Sequence, residues 1–433
     1  EAPAEAASEA QEGPKVVGKV DLEALKSKKP AVEAAKKEEA KPEAPEASKP
    51  AEAKPETVGP VKPAESEVLR AKAEKLSGPT VVGKIELPVE AVVGRYDDKP
   101  KAFELEGFIE RRIADLTGCY TAYLATETDE PTPRQIANVR CPPDMIGWLK
   151  GAHKSREAAE QASAWIAGKL KQEDDPPGID EERLVFPRND VKLLAPVPRP
   201  AAFRDFSIYQ THMSKADVPF LKTEHWYVTP PYYKGNCDTI TGAQDPVPFP
   251  YYTERLDLEL ELGIVVGKKG SNLTFDEARD HIAGYTILID PSCRDGYKRE
   301  PFGPNKRKDF CTPMGPCLVT ADAIDERNID CRIEVDGEIW WEGNTGEPRS
   351  FWAEHLVAYV SDNETIFPGD VIGTGTIGMG CSMDIHKWPQ VGQKMTFTMD
   401  GIGSMTLEIV KGEDRVRHVD GMPGLLEYPG EDI

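Results

Sequence analysis

The chain has 433 residues, with 75 acidic against 53 basic side chains and a formal net charge of -22. Hydrophobic residues make up 39% of it, enough apolar material for one large or two ordinary domains. The acidity argues against a nucleic-acid partner, which it would repel, and no apolar run approaches the ~18 residues needed to span a bilayer.

Residues 1–90 are dominated by Ala, Glu, Lys and Pro, and no aromatic residue, His or Cys precedes Tyr96. Such a segment buries too little surface to offset its ordering entropy, so a disordered tail is predicted there. Within it, the stretch from Gly13 to Leu22 recurs from Gly78 to Leu87. Two short copies suit a spacer with two apolar islands, or a pair of strands or peptides that dock a protein partner. Glu1–Ala10 lacks the basic start and apolar core of a signal peptide. The chain opens on Glu rather than Met, so removal of an earlier start is expected. Its eight cysteines are scattered without a CxxC pair. That pattern predicts neither a zinc knuckle nor a disulfide framework, and favours a reducing, cytoplasmic setting.

Residues 91–190 read as a small mixed leading domain or cap. Apolar residues recur through Pro133–Lys150. Over Ala152–Leu170 the positions Ala159, Ala162, Trp165, Ile166 and Leu170 keep helical spacing until Asp174–Gly178 stops them. From Val191 to the end the pattern changes to short strands between Gly/Pro turns. Strands are predicted over Leu256–Val266, Tyr285–Ile289, Val371–Thr376 and Met395–Met399. A hairpin is predicted over Ile329–Trp341 with Asp336-Gly337 at its turn, and short helices over Glu277–Ile282 and Trp352–Val360. The whole is a mixed, β-rich α+β chain rather than an alternating βαβ one.

The sharpest local feature is Leu256-Asp-Leu-Glu-Leu-Glu-Leu262. In a strand, residues two apart share a face, so Asp257, Glu259 and Glu261 line one side and the leucines the other. A solvated sheet surface would explain three like charges in a row. It would not explain why the strand continues into the apolar Gly263–Gly267, whereas a divalent cation held by carboxylates explains both. Further along, Asp290 ends an apolar strand with Arg294 four residues on, and Asp205 precedes His212 by seven. The glycine-rich run from Pro368 to Thr376 is a candidate for holding an anion on its backbone N–H groups.

In their order along residues 191–410, these pieces resemble the fumarylacetoacetate hydrolase superfamily. The matching pieces are Leu193–Pro198, Asp205 with His212, Leu256–Leu262, Asp290 with Arg294, Lys308–Pro316, Val335–Glu338 and Pro368–Thr376. The resemblance implies a β-roll catalytic domain over 191–433, a homodimer, and a Mg²⁺ or Ca²⁺ ion. It implies Asp205, Glu259, Glu261 and Asp290 as the metal ligands, and oxygen donors suit such hard ions. It implies His212 as the group that activates water and Lys308 as the stabiliser of developing oxyanion or enolate charge. Lys306 stands close enough to exchange places with Lys308. Arg294, Thr376 and, more loosely, Tyr233 are implied to face a small anionic substrate.

The sequence departs from the family pattern in three places. The stretch Gly378–His386 has no glutamate to partner His212, and the aligned position falls at Ile385 or Asp384. Ser207 replaces a tyrosine, and Tyr297 replaces a glutamine that reads the substrate. The expected activity is metal-dependent hydrolysis of a carbon–carbon bond in a β-diketone or acylpyruvate-like acid, with His212, Lys308 and Asp384 at the chemistry. The alternatives are decarboxylation, hydration or keto–enol tautomerisation of a 2-oxo acid on the same fold, or a silent member repurposed for binding.

Overall fold

A computed structural model of the chain describes residues 91–94, 102–105, 112–215, 224–295 and 303–414. The expected N-terminal tail with its repeat, and Tyr297, lie outside these residues. Among them, two sheets and a set of short helices form a mixed α+β fold with a curled sheet.

The leading part contributes β1 (Ala91–Gly94), β2 (Ala102–Leu105), β3 (Arg112–Asp115) and β4 (Val185–Pro187). Between the last two run α1 (Leu116–Glu127), α2 (Pro133–Arg140), α3 (Met145–Lys150) and α4 (Ala152–Lys169). Asp144 caps α3 by accepting from the Gly147 N–H at 2.6 Å. Next come β5 (Phe203–Phe206), α5 (Gln210–Lys215), β6 (Tyr232–Lys234), β7 (Ile240–Thr241) and β8 (Val247–Phe249).

The central hairpin is β9 (Leu256–Val266) against β10 (Ile282–Cys293), with α6 (Phe275–Arg279) between them. The strand β9 has the predicted bounds and is buried along its whole length, and β10 is longer than its sequence signal. The Tyr285–Ile289 segment extends three residues back and four forward, because its flanks pair with β9 along its whole length. The helix predicted over Glu277–Ile282 starts earlier and ends at Arg279. Thr274 and Glu277 form a capping box at its start, and Ile282 already belongs to β10.

The chain continues with α7 (Asn305–Lys308), β11 (Thr312–Thr320), β12 (Asp330–Val335) and β13 (Glu338–Asn344). Then come α8 (Ala353–Ser361), β14 (Val371–Gly373), α9 (Ser382–Ile385), β15 (Lys394–Met399) and β16 (Gly403–Lys411). The hairpin turn at Asp336-Gly337 is as expected, with both residues at positive φ (50° and 84°).

The large sheet runs β4-β3-β2-β1-β11-β10-β9-β14-β5-β6, with β7 joining β11, and the second runs β13-β12-β15-β16-β8. The central strands divide two cores by strict alternation. Leu256, Leu258, Leu260, Leu262 and Ile264 of β9, with Ile287 and Ile289 of β10, enter the core shared with the second sheet. On the opposite face, Val265, Leu288, Val371 and Phe203 pack with α1 and α4 residues such as Ala159 and Ile166. That second face is apolar only under the helices. Further along the same strands it carries Asp205, Glu259, Glu261 and Asp290, all at most 3% exposed.

Candidate metal and acid–base site

Register brings the carboxylates together. Asp290 lies directly opposite Glu259 across the β9–β10 pair. Gly373 of β14 pairs in parallel with Asp205 of β5 and antiparallel with Gly263 of β9. Oxygen atoms of Asp205, Glu261 and Asp290 all lie within 4.8 Å of one another. Gly373 makes that approach possible: a Cβ there would lie 2.5 Å from Asp205 Oδ1 and 2.7 Å from Glu261 Oε2.

The three carboxylates fit a hard divalent ion. Asp205 Oδ1 and Asp290 Oδ1 are buried with no hydrogen-bond partner. Such orphaned acceptors are costly unless a cation takes them. Tyr233 donates its hydroxyl to Asp205 Oδ2 at 3.2 Å, and the Gly375 N–H donates to Glu261 Oε2 at 3.0 Å. Burial pushes Glu261 well above the ordinary carboxylate range, and the charges of Asp205 and Asp290 add to that. Burial likewise raises Asp290 and Asp205, against the opposing pull of Lys308.

Glu259 stands slightly apart, within 4.8 Å of ligand atoms on His212 and Cys381. Burial would raise it, but Arg294, Lys308 and His212 outweigh burial and hold it well below the ordinary range. Thr376 donates to its Oε1 at 2.6 Å and Lys308 to its Oε2 at 2.6 Å, and Arg294 donates to Oε1 as well. Arg294 also grips Asp257 Oδ2 at 2.8 Å. Lys308 further contacts Asp290 and the Ser292 hydroxyl (2.7 Å). Burial opposes its charge, yet Asp290 and Glu259 hold the ammonium above its ordinary value.

Of the two lysines named from the sequence, Lys308 faces this group, while Lys306 is an exposed residue of α7 whose carbonyl accepts from the Tyr252 hydroxyl at 2.9 Å. His212, 6% exposed, sits in the short helix α5. Its Nδ1 lies 3.0 Å from Asp384 Oδ2, and its Nε2 lies 3.5 Å from Glu259 Oε1. The residue beside His212 is therefore Asp384. Ile385 ends the short helix α9, and His386 follows it in the left-handed region (φ 56°). With Asp384 accepting from Nδ1–H, the imidazole lone pair lies on Nε2, toward the carboxylates.

Asp257 holds this arrangement from below. Its Oδ1 accepts from the Ser382 N–H at 2.6 Å and its Oδ2 from the Met383 N–H at 3.2 Å, which fixes the start of α9 and hence Asp384.

Sequence reasoning passed over four neighbours. Ser292 follows Asp290 by two on the same strand face, a signal that alternation alone supplies. Gly373 lay within the glycine-rich run read as an anion holder rather than as a close-approach point, and Cys381 and Glu347 gave no such signal. Glu347 accepts from the Gly378 N–H, 31 residues further along the chain, and lies near His212 and Asp384, but it arrives from a separate loop.

The class is defined by a curled sheet carrying buried carboxylates that could hold a divalent cation, with a His–Asp pair alongside. A family model for the fumarylacetoacetate (FAA) hydrolase C-terminal region matches residues 202–410. The chain is 31% identical over 238 residues to a mitochondrial oxaloacetate tautomerase of Xenopus laevis, covering 54% of this chain and 72% of that one. It is also 31% identical over 280 residues to the oxaloacetate tautomerase YisK of Bacillus subtilis (strain 168), covering 62% of this chain and 87% of that one. The solved fumarylacetoacetate hydrolase of psychrophilic Exiguobacterium antarcticum shares the fold, with a TM-score of 0.53 at 22% identity, over 75% of this chain and 100% of that one. The chain belongs to the fumarylacetoacetate hydrolase family, whose members act variously on 2-oxo acids and acylpyruvates as hydrolases, isomerases and tautomerases. Among the described residues no helix is long and apolar enough to cross a membrane.

Proposed function

We propose that this protein is a divalent-metal-dependent keto–enol tautomerase of a small 2-oxo dicarboxylic acid of the oxaloacetate class. The observation that carries this reading is the buried His212–Asp384 pair, with Nε2 of the imidazole turned toward the carboxylate group. It joins the likeness to two oxaloacetate tautomerases across 72% and 87% of their lengths. Asp205, Glu261 and Asp290 would hold the ion, and their all-oxygen donor set would favour Mg²⁺ over softer metals. A bound divalent ion supplies Lewis-acid charge that lowers the energy of an enolate.

The chain's own residues supply the proton transfer. His212 Nε2 takes a proton from the carbon next to the keto group and returns it to the enol oxygen, or runs the reverse. Asp384 keeps Nδ1 protonated and stabilises the imidazolium that forms. Lys308, whose ammonium Glu259 and Asp290 keep charged, offsets negative charge developing on the substrate oxygen. Arg294 and Thr376 hold Glu259 in place between the two groups. Burial of the whole constellation excludes bulk water from the enolate.

The same His–Asp pair also suits water activation, so hydrolysis of an acylpyruvate is the second reading. The two separate by product. Stripped protein is reconstituted with Mg²⁺ and mixed with the enol form of oxaloacetate or with an acylpyruvate. Accelerated loss of the enol chromophore at constant mass supports the tautomerase, provided that His212→Gln abolishes it. Fragments that together carry one added water would replace it with the hydrolase. Neither outcome in the metal-loaded protein would remove both.

A further inference from the structure

Both members of the His212–Asp384 pair ride on very short helices, six residues in α5 and four in α9. Helices of one turn or so do not hold their own geometry, so the 3.0 Å contact between the pair depends on what clamps the two segments. On the Asp384 side, the Met379 N–H donates at 3.2 Å to Oδ2, the same oxygen that faces His212. Met379 does so from the left-handed region (φ 65°), a strained conformation for a residue with a side chain, which persists only where its surroundings impose it. The turn is fixed to β9 on both sides of Met379: Ile377 N–H donates to the Leu260 carbonyl at 3.1 Å, and Leu260 N–H to the Gly380 carbonyl at 2.9 Å.

One half-buried carboxylate joins the two segments. The loop after β13 runs beside the chain that enters α5, with Gln210 N–H donating to the Pro348 carbonyl at 2.9 Å and Ser350 N–H to the Ile208 carbonyl at 3.1 Å. Glu347 therefore stands at the start of α5, where the hydroxyl of Thr211, the residue before His212, donates to its carboxylate. Its Oε1 also accepts from the N–H of Gly378, the residue before Met379. The fit is close: a Cβ at Gly378 would collide with both Glu347 oxygens and with Thr211 Cβ. We propose that Glu347 is a positioning residue for the acid–base pair. Through Thr211 and the Gly378 N–H it holds α5 and the turn leading to Asp384 at the separation at which His212 Nδ1 meets Asp384. It takes no proton itself. Its effect on turnover rests on the proton-transfer role given to His212 under the proposed function; its effect on the His212–Asp384 hydrogen bond does not.

The test uses the full chain saturated with Mg²⁺. In Glu347→Ala, kcat on the enol form of oxaloacetate should fall by about 10- to 100-fold while KM and Mg²⁺ affinity stay within about twofold of wild type, because Asp205, Glu261 and Asp290 are untouched. Glu347→Gln keeps an acceptor for the Gly378 N–H and should recover most of the loss. A Gln variant as slow as the Ala variant overturns the proposal, since the carboxylate would then be needed for its charge or its proton. Loss of Mg²⁺ affinity in step with kcat overturns it too, as a general collapse of the site. A second readout needs no turnover: the proton resonance of His212 Nδ1–H, assigned by its absence from His212→Gln. A downfield, exchange-protected signal is expected in the wild type and in Glu347→Gln, and a signal moved upfield or broadened by exchange in Glu347→Ala. A signal unchanged in Glu347→Ala overturns the proposal. Should Glu347→Ala not fold, Thr211→Val removes one hydroxyl at nearly constant volume and should lower kcat by about 3- to 10-fold; turnover equal to wild type overturns the tie. A wild type inactive on every 2-oxo acid tried would count against the proposed function and leave the resonance to decide the role of Glu347.

Discussion

Two charged networks among the described residues are built on opposite principles. Around α8, Arg349 pairs with Glu326 at 2.8 Å, Arg327 lies between Glu326 and Glu354, and Arg279 reaches Glu354 at 2.9 Å. Arg349 also lies over the Trp352 ring, 4.0 Å from its centroid. Three guanidinium groups serve two carboxylates. Burial would raise Glu354, but its hydrogen bonds and Arg279 and Arg327 hold it below the ordinary range. In the sheet face, by contrast, Arg294 and Lys308 satisfy Asp257, Glu259 and one oxygen of Asp290, while Asp205 and Glu261 face each other without a side-chain cation. The first network is neutralised from within the fold. The second is left short of positive charge at one point, and a fold keeps such a deficit where an ion or a reaction needs it.

That contrast is open to direct attack. The largest effect should come from His212→Gln: activity on oxaloacetate enol falls by about 10² to 10⁴, while the thermal midpoint stays near wild type. A small loss in turnover would detach the imidazole from the chemistry. Next, Arg349→Met should cost about 3 kcal/mol in denaturant unfolding, because it removes the buried partner of Glu326 and leaves it only the part-exposed Arg327. Unchanged stability would mean that the first network is not structural after all.

A middle-sized effect is expected at Gly373→Ala. The added methyl pushes Asp205 and Glu261 apart, so Mg²⁺ affinity measured by calorimetry should fall by about 10- to 100-fold. Affinity equal to wild type would place the ion elsewhere.

The smallest effect has the most telling sign. Glu261 and Asp290 have folded values raised above their ordinary unfolded ones. In chelator, stability is therefore fully present below the ordinary carboxylate range and is lost as pH rises through the raised folded values. Glu261→Gln removes one of these losses, so the stripped variant should be more stable than stripped wild type by about 1 kcal/mol, increasingly so toward higher pH. Mg²⁺ should abolish the variant's advantage. A variant less stable than wild type in chelator would show that Glu261 is satisfied without an ion.

Much of this site was legible before any coordinates. Alternation in Leu256–Leu262 put Asp257, Glu259 and Glu261 on one face, and the face is as described, though buried where a lone strand suggests exposure. Asp205, Asp290 and His212 stood out as local features, but their roles, and Lys308 altogether, were named through the family resemblance. The stretch after the glycine turns left Ile385 and Asp384 open at the position that partners the histidine. Only the short helix α9, capped by Asp257, turns Asp384 onto it. Chain separation explains what was missed. Glu347 and Cys381 reach His212 across well over a hundred residues, and spacing along a sequence carries no record of such closures.

By itself, then, the sequence determined which residues alternate, which turns break the strands, and which donor types suit a hard cation, since all of these are local properties of spacing and side-chain chemistry. The tertiary structure decided which carboxylates meet. It set Asp205 beside Glu261 through the pairing of β5, β14 and β9, and it drew Glu259 toward His212 and Cys381 instead. The reason is physical: strand register and parallel pairing are fixed by long-range packing of two cores against one sheet, and a shift of one residue would have turned every carboxylate into the leucine core.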